Sequence, residues 1–246
     1  MVDFEKLELD QTAEGFWNHL EELRKRAIFS ILVLAVLSVA AYFFSDQILA
    51  FLTRPISSVH QKVYYLSPYG AFLIKLQIAF WGGLFVASPL LLAQIWLFIA
   101  PGLYTLEKKF FLIFLFFSIC LFLFGAWIAA FAVIPTTIGF FLSFSTPDLL
   151  PLISVSQYLG FYLWMTLAFG LTFEAPIFLV GLVRFGVVSL HTLKSLRRQM
   201  IVAIFIFSAV VTPSPDPFSQ CLLAIPLWLL FEINILLAGI TKRRRS

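Results

Sequence analysis

Charged residues are scarce in this sequence. Asp, Glu, Lys and Arg together make up 12% of its 246 residues, against roughly 25% in soluble proteins. Hydrophobic residues reach 61%, and 30 residues are Phe, which is more apolar surface than a soluble globule of this length can bury. This composition excludes an ordinary soluble domain, a disordered chain and a nucleic-acid binder. It predicts a protein whose solvent is largely the lipid bilayer.

Residues that could form a catalytic or metal site are also few. The two cysteines, Cys120 and Cys221, lie in apolar runs, and their spacing suits neither a disulfide framework nor a metal site. The three histidines fall in separate connecting regions. Phosphate-binding glycine loops, His-Glu-x-x-His pairs and Gly-x-Ser-x-Gly elbows are absent from the sequence. We therefore expect no enzyme activity, no cofactor and no metal site.

Long apolar runs are the dominant feature of the chain. A membrane-spanning helix needs about 20 mostly apolar residues, and six runs reach or approach that length. They are 27–44, 71–99, 110–134, 158–183, 200–211 and 218–240. Backbone groups in lipid must pair within their own segment, so each run is predicted to be a helix. The expected fold is an all-α polytopic membrane protein, with one six-span domain over residues 1–246.

The distribution of Lys and Arg predicts the orientation. Only Arg54, Lys62 and Lys75 fall on one side of the predicted spans, and the other 14 of the 17 basic residues fall on the opposite side. The positive-inside rule places the basic side in the cytoplasm. We therefore expect a multi-pass protein of the cell (inner) membrane with both termini in the cytoplasm.

The fifth run, 200–211, is short for a span. It rises only about 18 Å as a helix, against a hydrocarbon core of about 30 Å. Three solutions remain open: local thinning of the bilayer, cover by other parts of the protein, or a helix that begins earlier, within 197–199.

Two neighbouring acids precede the first run. Residues 16–27 place apolar side chains at helical spacing, and Glu21 and Glu22 project elsewhere. One interpretation is a solvated lead-in helix with i,i+4 ion pairs from Glu21 to Lys25 and from Glu22 to Arg26. The other is a carboxylate site for an external cation.

A third acid, Glu107, follows a Pro101-Gly102 break between the second and third runs. Its carboxylate suits the amino terminus of the next helix, so a capping role is open. Two separate carboxylates near aromatic side chains could instead bind guanidinium groups, which favour bidentate pairing with carboxylates.

Glu174 lies within the fourth run, where an ionised side chain costs about 2.5–3.5 kcal/mol on insertion scales. It should therefore face protein or water, be neutral, or have a partner. An acid at this depth is a functional hypothesis by default. One alternative is a proton-coupled small-solute secondary transporter that uses Glu174, with Pro89 and Pro176 breaking their helices.

Five motifs, in this order, resemble those of the TatC family of twin-arginine translocase proteins. They are His-Leu-Glu-Glu-Leu-Arg at 19–24, Ser-Pro with Ala-Phe within 67–72, Phe-Ile-Ala-Pro-Gly-Leu-Tyr at 98–104, Phe-Glu-Ala-Pro at 173–176, and Thr-Pro, Asp and Ser-Gln within 212–220. The resemblance extends from about residue 19 to residue 232. Each motif alone is weak, but the five in register with a six-span plan are specific.

The resemblance implies a concave, glove-like arrangement of six helices and a role in the export of folded proteins. The family binds twin-arginine signal peptides, works with single-span TatA- and TatB-type proteins and is driven by the proton-motive force. Self-association within the translocase is also implied.

The resemblance further assigns roles to particular residues. Glu22 and Glu107 would bind the arginine pair of the signal peptide, and Phe98, Leu103, Arg24 and Lys25 would shape that site. Glu174 would form an intramembrane polar site on the concave face. Gln220 and Asp216 would contact a partner helix.

Overall fold

The chain is almost entirely helical. The computed structural model describes residues 4–57, 63–99, 108–146, 148, 151–184, 188–212 and 216–243. The helices are α1 Phe4–Phe43, α2 Ser45–Leu52, α3 Arg54–Ser57, α4 Gly70–Ile99, α5 Lys108–Ile128, α6 Ile134–Leu142, α7 Val155–Thr172, α8 Ala175–Arg184, α9 Leu190–Ser195, α10 Arg197–Val211 and α11 Pro217–Arg243. A π-helical turn, Ala129–Val133, joins α5 to α6. Strands β1 (Val63–Tyr64) and β2 (Ile153–Ser154) form a short parallel pair.

Within the part of the chain that the structure describes, five helical stretches are long and apolar enough to cross a membrane. They are Trp17–Phe43, Gly70–Phe98, Leu112–Leu142, Val155–Val183 and Pro217–Leu236. The predicted fold class, an all-α polytopic membrane protein, is confirmed. The fifth predicted run, 200–211, belongs to α10. This helix begins earlier than the run, at Arg197, which is one of the three alternatives that the sequence left open. Its 15 residues still rise only about 22 Å, so α10 does not reach the length of the other five stretches.

Helices α1 and α4 pack antiparallel through small residues. Ser38 of α1 faces Gly83 of α4 so closely that a Cβ built on Gly83 would lie 2.6 Å from the Ser38 Cα. Only glycine fits there, and close backbone approach through small residues is a common way for helices to pack in lipid. Toward one end of the pair, Lys75 binds Asp46 at 2.9 Å. Toward the other end, Arg26 contacts Gln94.

Helix α7 lies at the centre of the molecule, and α1 lies at its edge. Leu159, Met165 and Phe169 of α7 are completely buried. In contrast, Ile31 and Val36 of α1 are about two-thirds exposed, as side chains that face lipid would be. The hydroxyl of Tyr158 donates a 2.5 Å hydrogen bond to the Leu52 carbonyl, which joins α7 to α2.

Candidate functional site

The acid Glu22 is held by charged and polar groups at one end of the α1–α4 pair. Nε of Arg26 donates a 3.0 Å hydrogen bond to Glu22 Oε1, and Nη2 of Arg26 donates to the same oxygen. Nη1 of Arg26 donates to Oε1 of Gln94 at 3.1 Å. The Glu22 side chain remains 32% exposed and the Arg26 side chain 23% exposed. Arg26 therefore links the acid of α1 to the polar side chain of α4.

Aromatic stacking completes this end of the α1–α4 pair. The rings of His19 and Phe98 stack with centroids 4.2 Å apart and an interplanar angle of 13°. Nδ1 of His19 lies 4.0 Å from Glu22 Oε2. We call His19, Glu22, Arg26, Gln94 and Phe98 the Glu22 cluster. Phe98, which the family resemblance assigned to the same site as Glu22, lies in this cluster.

The other predicted members of this site have different positions. Lys25 binds Glu21 at 2.8 Å on an exposed part of α1, and Arg24 is exposed. Both i,i+4 pairs suggested by the sequence, Glu21–Lys25 and Glu22–Arg26, are confirmed. An exposed pair such as Glu21–Lys25 stabilises little. Glu107 and Leu103 lie outside the described residues.

Glu174 is enclosed by protein at the junction of α7 and α8. Its side chain is only 3% exposed. The Ser118 hydroxyl donates to Glu174 Oε2 at 2.5 Å, and the same hydroxyl accepts from Trp96 Nε1 at 3.0 Å. Phe178 stacks on Trp96 with centroids 5.2 Å apart. We call Trp96, Ser118 and Glu174 the Glu174 network. The acid therefore faces protein and has a partner, as its insertion cost requires.

Helix α4 contacts both groups of residues. Gln94 and Trp96 are two positions apart, which is about 200° around a helix, so they point in nearly opposite directions. Gln94 bonds to α1, and Trp96 bonds to Ser118 of α5. A glutamine within an apolar run can hydrogen-bond between helices in lipid, and Gln94 is such a residue. The sequence gives no comparable signal for Ser118, because an intramembrane serine commonly bonds to its own helix.

Asp216 directly precedes α11, and Gln220 lies near the start of that helix. Asp216 Oδ2 accepts from the Ser219 backbone N–H at 2.7 Å, which is an N-terminal helix cap with Pro217 at the first helical position. Nε2 of Gln220 donates to the Phe205 carbonyl of α10 at 2.8 Å. Both predicted partner-contact residues therefore make hydrogen bonds within the α10–α11 hairpin.

Two further bonds stabilise this hairpin: one joins it to α7, and the other joins α10 to α11. No sequence motif indicated either of them. Trp164 of α7 donates from Nε1 to the Val211 carbonyl at 2.6 Å, at the end of α10. At the opposite end, Arg197 binds Glu232 at 2.9 Å. A Trp N–H in an apolar setting usually finds an acceptor, and this rule could have marked Trp164 without naming its partner.

Of the predicted site residues that the structure describes, all but Arg24 and Lys25 fall into three separate groups. The Glu22 cluster lies at one end of the α1–α4 pair, the Glu174 network lies between α4, α5 and α8, and Gln220 and Asp216 lie in the α10–α11 hairpin. Phe218 next to them stacks on Phe140 of α6 at 4.1 Å. Among the residues that the structure describes, His, Cys, Asp and Glu form no group of three or more that could hold a metal ion.

Comparison with known proteins identifies the family. The family model described as Sec-independent protein translocase protein (TatC) matches residues 18–226. The protein of that description from Magnetococcus marinus is 39% identical over 231 residues, which is 93% of this chain and 85% of the relative. The one from Aquifex aeolicus is 39% identical over 232 residues, which is 93% of this chain and 96% of the relative.

The fold agrees with solved structures of the same family. A crystal structure of "Twin Arginine Translocase Receptor- TatC in DDM" superposes with a TM-score of 0.80 at 39% identity, over 89% of this chain and 99% of that chain. A second TatC crystal structure superposes with the same TM-score at 38% identity. The resemblance drawn from the five motifs is thereby confirmed. This chain belongs to the TatC family of Sec-independent protein translocase proteins and is a multi-pass helical membrane protein.

Proposed function

We propose that this protein is the receptor component of a twin-arginine protein translocase. It binds twin-arginine signal peptides and scaffolds partner proteins for the export of folded proteins. The observation that carries this proposal is Glu22, a partly exposed carboxylate that already accepts two N–H bonds from a guanidinium group, that of Arg26. The geometry of Glu22 therefore suits the group that distinguishes an arginine peptide from a lysine peptide.

A twin-arginine peptide presents two guanidinium groups, and we assign the second to Glu107. Glu107 directly precedes α5 in the sequence. It follows the segment that leads on from Phe98, which stacks on His19 of the Glu22 cluster. Leu103, Arg24 and Lys25 are proposed to shape the same site, with the two basic residues lying on the exposed side of α1.

The positive-inside rule supports a cell inner membrane orientation with both termini in the cytoplasm. In that orientation the Glu22 cluster faces the cytoplasm, where precursor proteins are made. We further propose that α10 is the sixth span of a single membrane domain. Because α10 is short, the bilayer would thin around it or other helices would cover it.

The α10–α11 hairpin is the proposed contact for single-span TatA- and TatB-type proteins. Gln220 is a polar, partly exposed side chain on an otherwise apolar helix, and such side chains can bond between helices in lipid. The proton-motive force would drive transport, with self-association in the assembled translocase. We propose no enzyme activity, no cofactor and no nucleic-acid partner.

The transporter alternative is less well supported. It predicted helix breaks at both Pro89 and Pro176, but α4 continues through Pro89 from Gly70 to Ile99. The break near Pro176 does exist, because α7 ends at Thr172 and α8 begins at Ala175. Of the two predicted breaks, the described residues therefore show one, whereas a transporter built from two repeats is expected to show both.

The proposal is tested by measuring signal-peptide affinity for the full chain in lipid nanodiscs. We expect a twin-arginine peptide to bind more tightly than its twin-lysine counterpart, and we expect Glu22→Ala and Glu107→Ala each to weaken binding of the former. Glu21→Ala is the matched control, because Glu21 carries the same charge one residue away and is bound to the exposed Lys25. Equal affinity for the two peptides, or equal effects of Glu21→Ala and Glu22→Ala, would contradict the proposal.

A further inference from the structure

Glu22 is already occupied by a cation of the protein itself. Arg26 donates two N–H groups to Glu22 Oε1, and its third contact is with Oε1 of Gln94. The sequence suggested this pair only as a contribution to helix stability. The contact with Gln94, 68 residues away in the sequence, fixes Arg26 from a second helix and extends its role beyond α1.

A guanidinium group of a signal peptide can bind Glu22 in one of two ways while Arg26 is present. It can replace Arg26 on Glu22, which breaks the two existing bonds. It can instead bind Oε2, the oxygen that faces His19 at 4.0 Å, and then two like charges share one carboxylate and repel each other. Either route costs binding free energy relative to an unoccupied acid.

We infer that Arg26 is an affinity-determining residue that occupies Glu22 as an internal counter-ion and lowers the affinity of the receptor for arginine-bearing peptides. This inference rests on the proposed function, in which Glu22 binds one arginine of the peptide. The bond from Arg26 to Gln94 supplies an acceptor that keeps Arg26 partly satisfied after it leaves Glu22. A displaced Arg26 therefore does not lose all of its hydrogen-bond partners.

The pairing of Glu22 with Arg26 should reduce non-specific binding of basic peptides that are not signal peptides. Glu21 and Glu22 are paired with Lys25 and Arg26, so this stretch of α1 offers little uncompensated negative charge. A basic peptide without further contacts should bind this stretch only weakly, because each carboxylate is already paired with a cation of the protein. A peptide must supply enough additional contacts to compensate for the loss of the internal pair.

The sign of one measurement separates this role from a positioning role. If Arg26 merely orients Glu22, its removal weakens peptide binding. If Arg26 competes for Glu22, its removal tightens binding. Because a partly exposed ion pair stabilises by at most about a factor of five, removal of the competitor should tighten binding by roughly twofold to fivefold.

The experiment measures twin-arginine peptide affinity in nanodiscs for Arg26→Gln, Arg26→Lys and the wild type. We expect Arg26→Gln to bind roughly twofold to fivefold more tightly. Arg26→Lys, which keeps the charge but loses the planar fork of donors, should fall between them. Lys194→Gln is the charge-matched control, since the exposed Lys194 lies on the same predicted side and carries the same charge. It should change affinity much less than Arg26→Gln does.

Glu22→Ala, measured in the same series, separates the two ways this could fail. If Glu22→Ala leaves affinity unchanged, the proposed function is wrong at this residue. If Glu22→Ala weakens binding but Arg26→Gln weakens it too or leaves it unchanged, only the inference about Arg26 is overturned. Thermal unfolding of each variant identifies a misfolded protein. If Arg26→Gln is misfolded, the peptide affinity of Arg26→Lys decides: tighter binding than the wild type supports the inference, and equal or weaker binding overturns it.

Discussion

The hydroxyl of Ser118 is expected to contribute measurably to the stability of the helix bundle. It donates to Glu174 at 2.5 Å and accepts from Trp96 at 3.0 Å, and Ser118 is completely buried. Ser118→Ala therefore removes one group and breaks two interhelical bonds. Interhelical hydrogen bonds in membranes average about 0.6 kcal/mol and reach about 1.7 kcal/mol, so we expect a loss of about 1–3 kcal/mol.

The matched control for this change is Thr166→Val. Thr166 is also buried, but its hydroxyl donates to the Tyr162 carbonyl of its own helix. Removal of this hydroxyl should cost little, because it does not join two helices and the Tyr162 carbonyl lies inside α7, where the backbone N–H four residues later can serve it. Reversible unfolding in mixed micelles would give the free energy of unfolding of both variants and of the wild type.

A double-mutant cycle then assigns the effect to the Glu174 network. Glu174→Gln keeps an oxygen acceptor at nearly the same place but removes the carboxylate, so we expect Ser118→Ala to cost less in that background. The reasoning is refuted if Ser118→Ala is no more destabilising than Thr166→Val. It is also refuted if its cost is the same with Glu174 and with Gln at that position.

Three further predictions concern topology and the α10–α11 hairpin. Reporter fusions after residue 190 should give a cytoplasmic signal and fusions after residue 148 an external one, and the reverse result would contradict the proposed orientation. Trp164→Phe should speed hydrogen exchange at the end of α10 by removing the bond to Val211, and unchanged exchange there would contradict that role. Gln220→Leu should weaken assembly with a TatA- or TatB-type helix by about 0.6 kcal/mol as measured by energy transfer, and unchanged assembly would exclude Gln220 from the contact.

The helices were predictable because lipid leaves the backbone few choices. A long apolar run must satisfy its backbone groups internally, so the runs alone were enough to predict the helices that contain them. The ion pairs Glu21–Lys25 and Glu22–Arg26 were equally accessible, since four residues of separation place two side chains on one face of a helix. Both features depend on residues that are near one another in the sequence.

The contacts between helices could not be predicted in this way. In lipid, both the protein-facing and the outward-facing sides of a helix are apolar, so hydrophobic periodicity does not show which side faces a neighbour. The bond from Ser118 to Glu174 joins residues 56 positions apart, and the π-helical turn Ala129–Val133 has no distinct residue pattern. The sequence marked Glu174 as needing a partner, but only the structure supplied it.

The most direct test of the account is the coupling between Glu22 and a peptide arginine. Peptide affinity is measured for the wild-type receptor and for Glu22→Ala, each with a twin-arginine peptide and with peptides in which one arginine is replaced by lysine. Charge-assisted hydrogen bonds contribute about 1.5–3 kcal/mol, so the replacement should weaken binding to the wild type by about tenfold or more. For one of the two arginines, that loss should largely disappear in Glu22→Ala. An equal loss in both receptors, at both arginines, would contradict the assignment of Glu22 to the signal peptide.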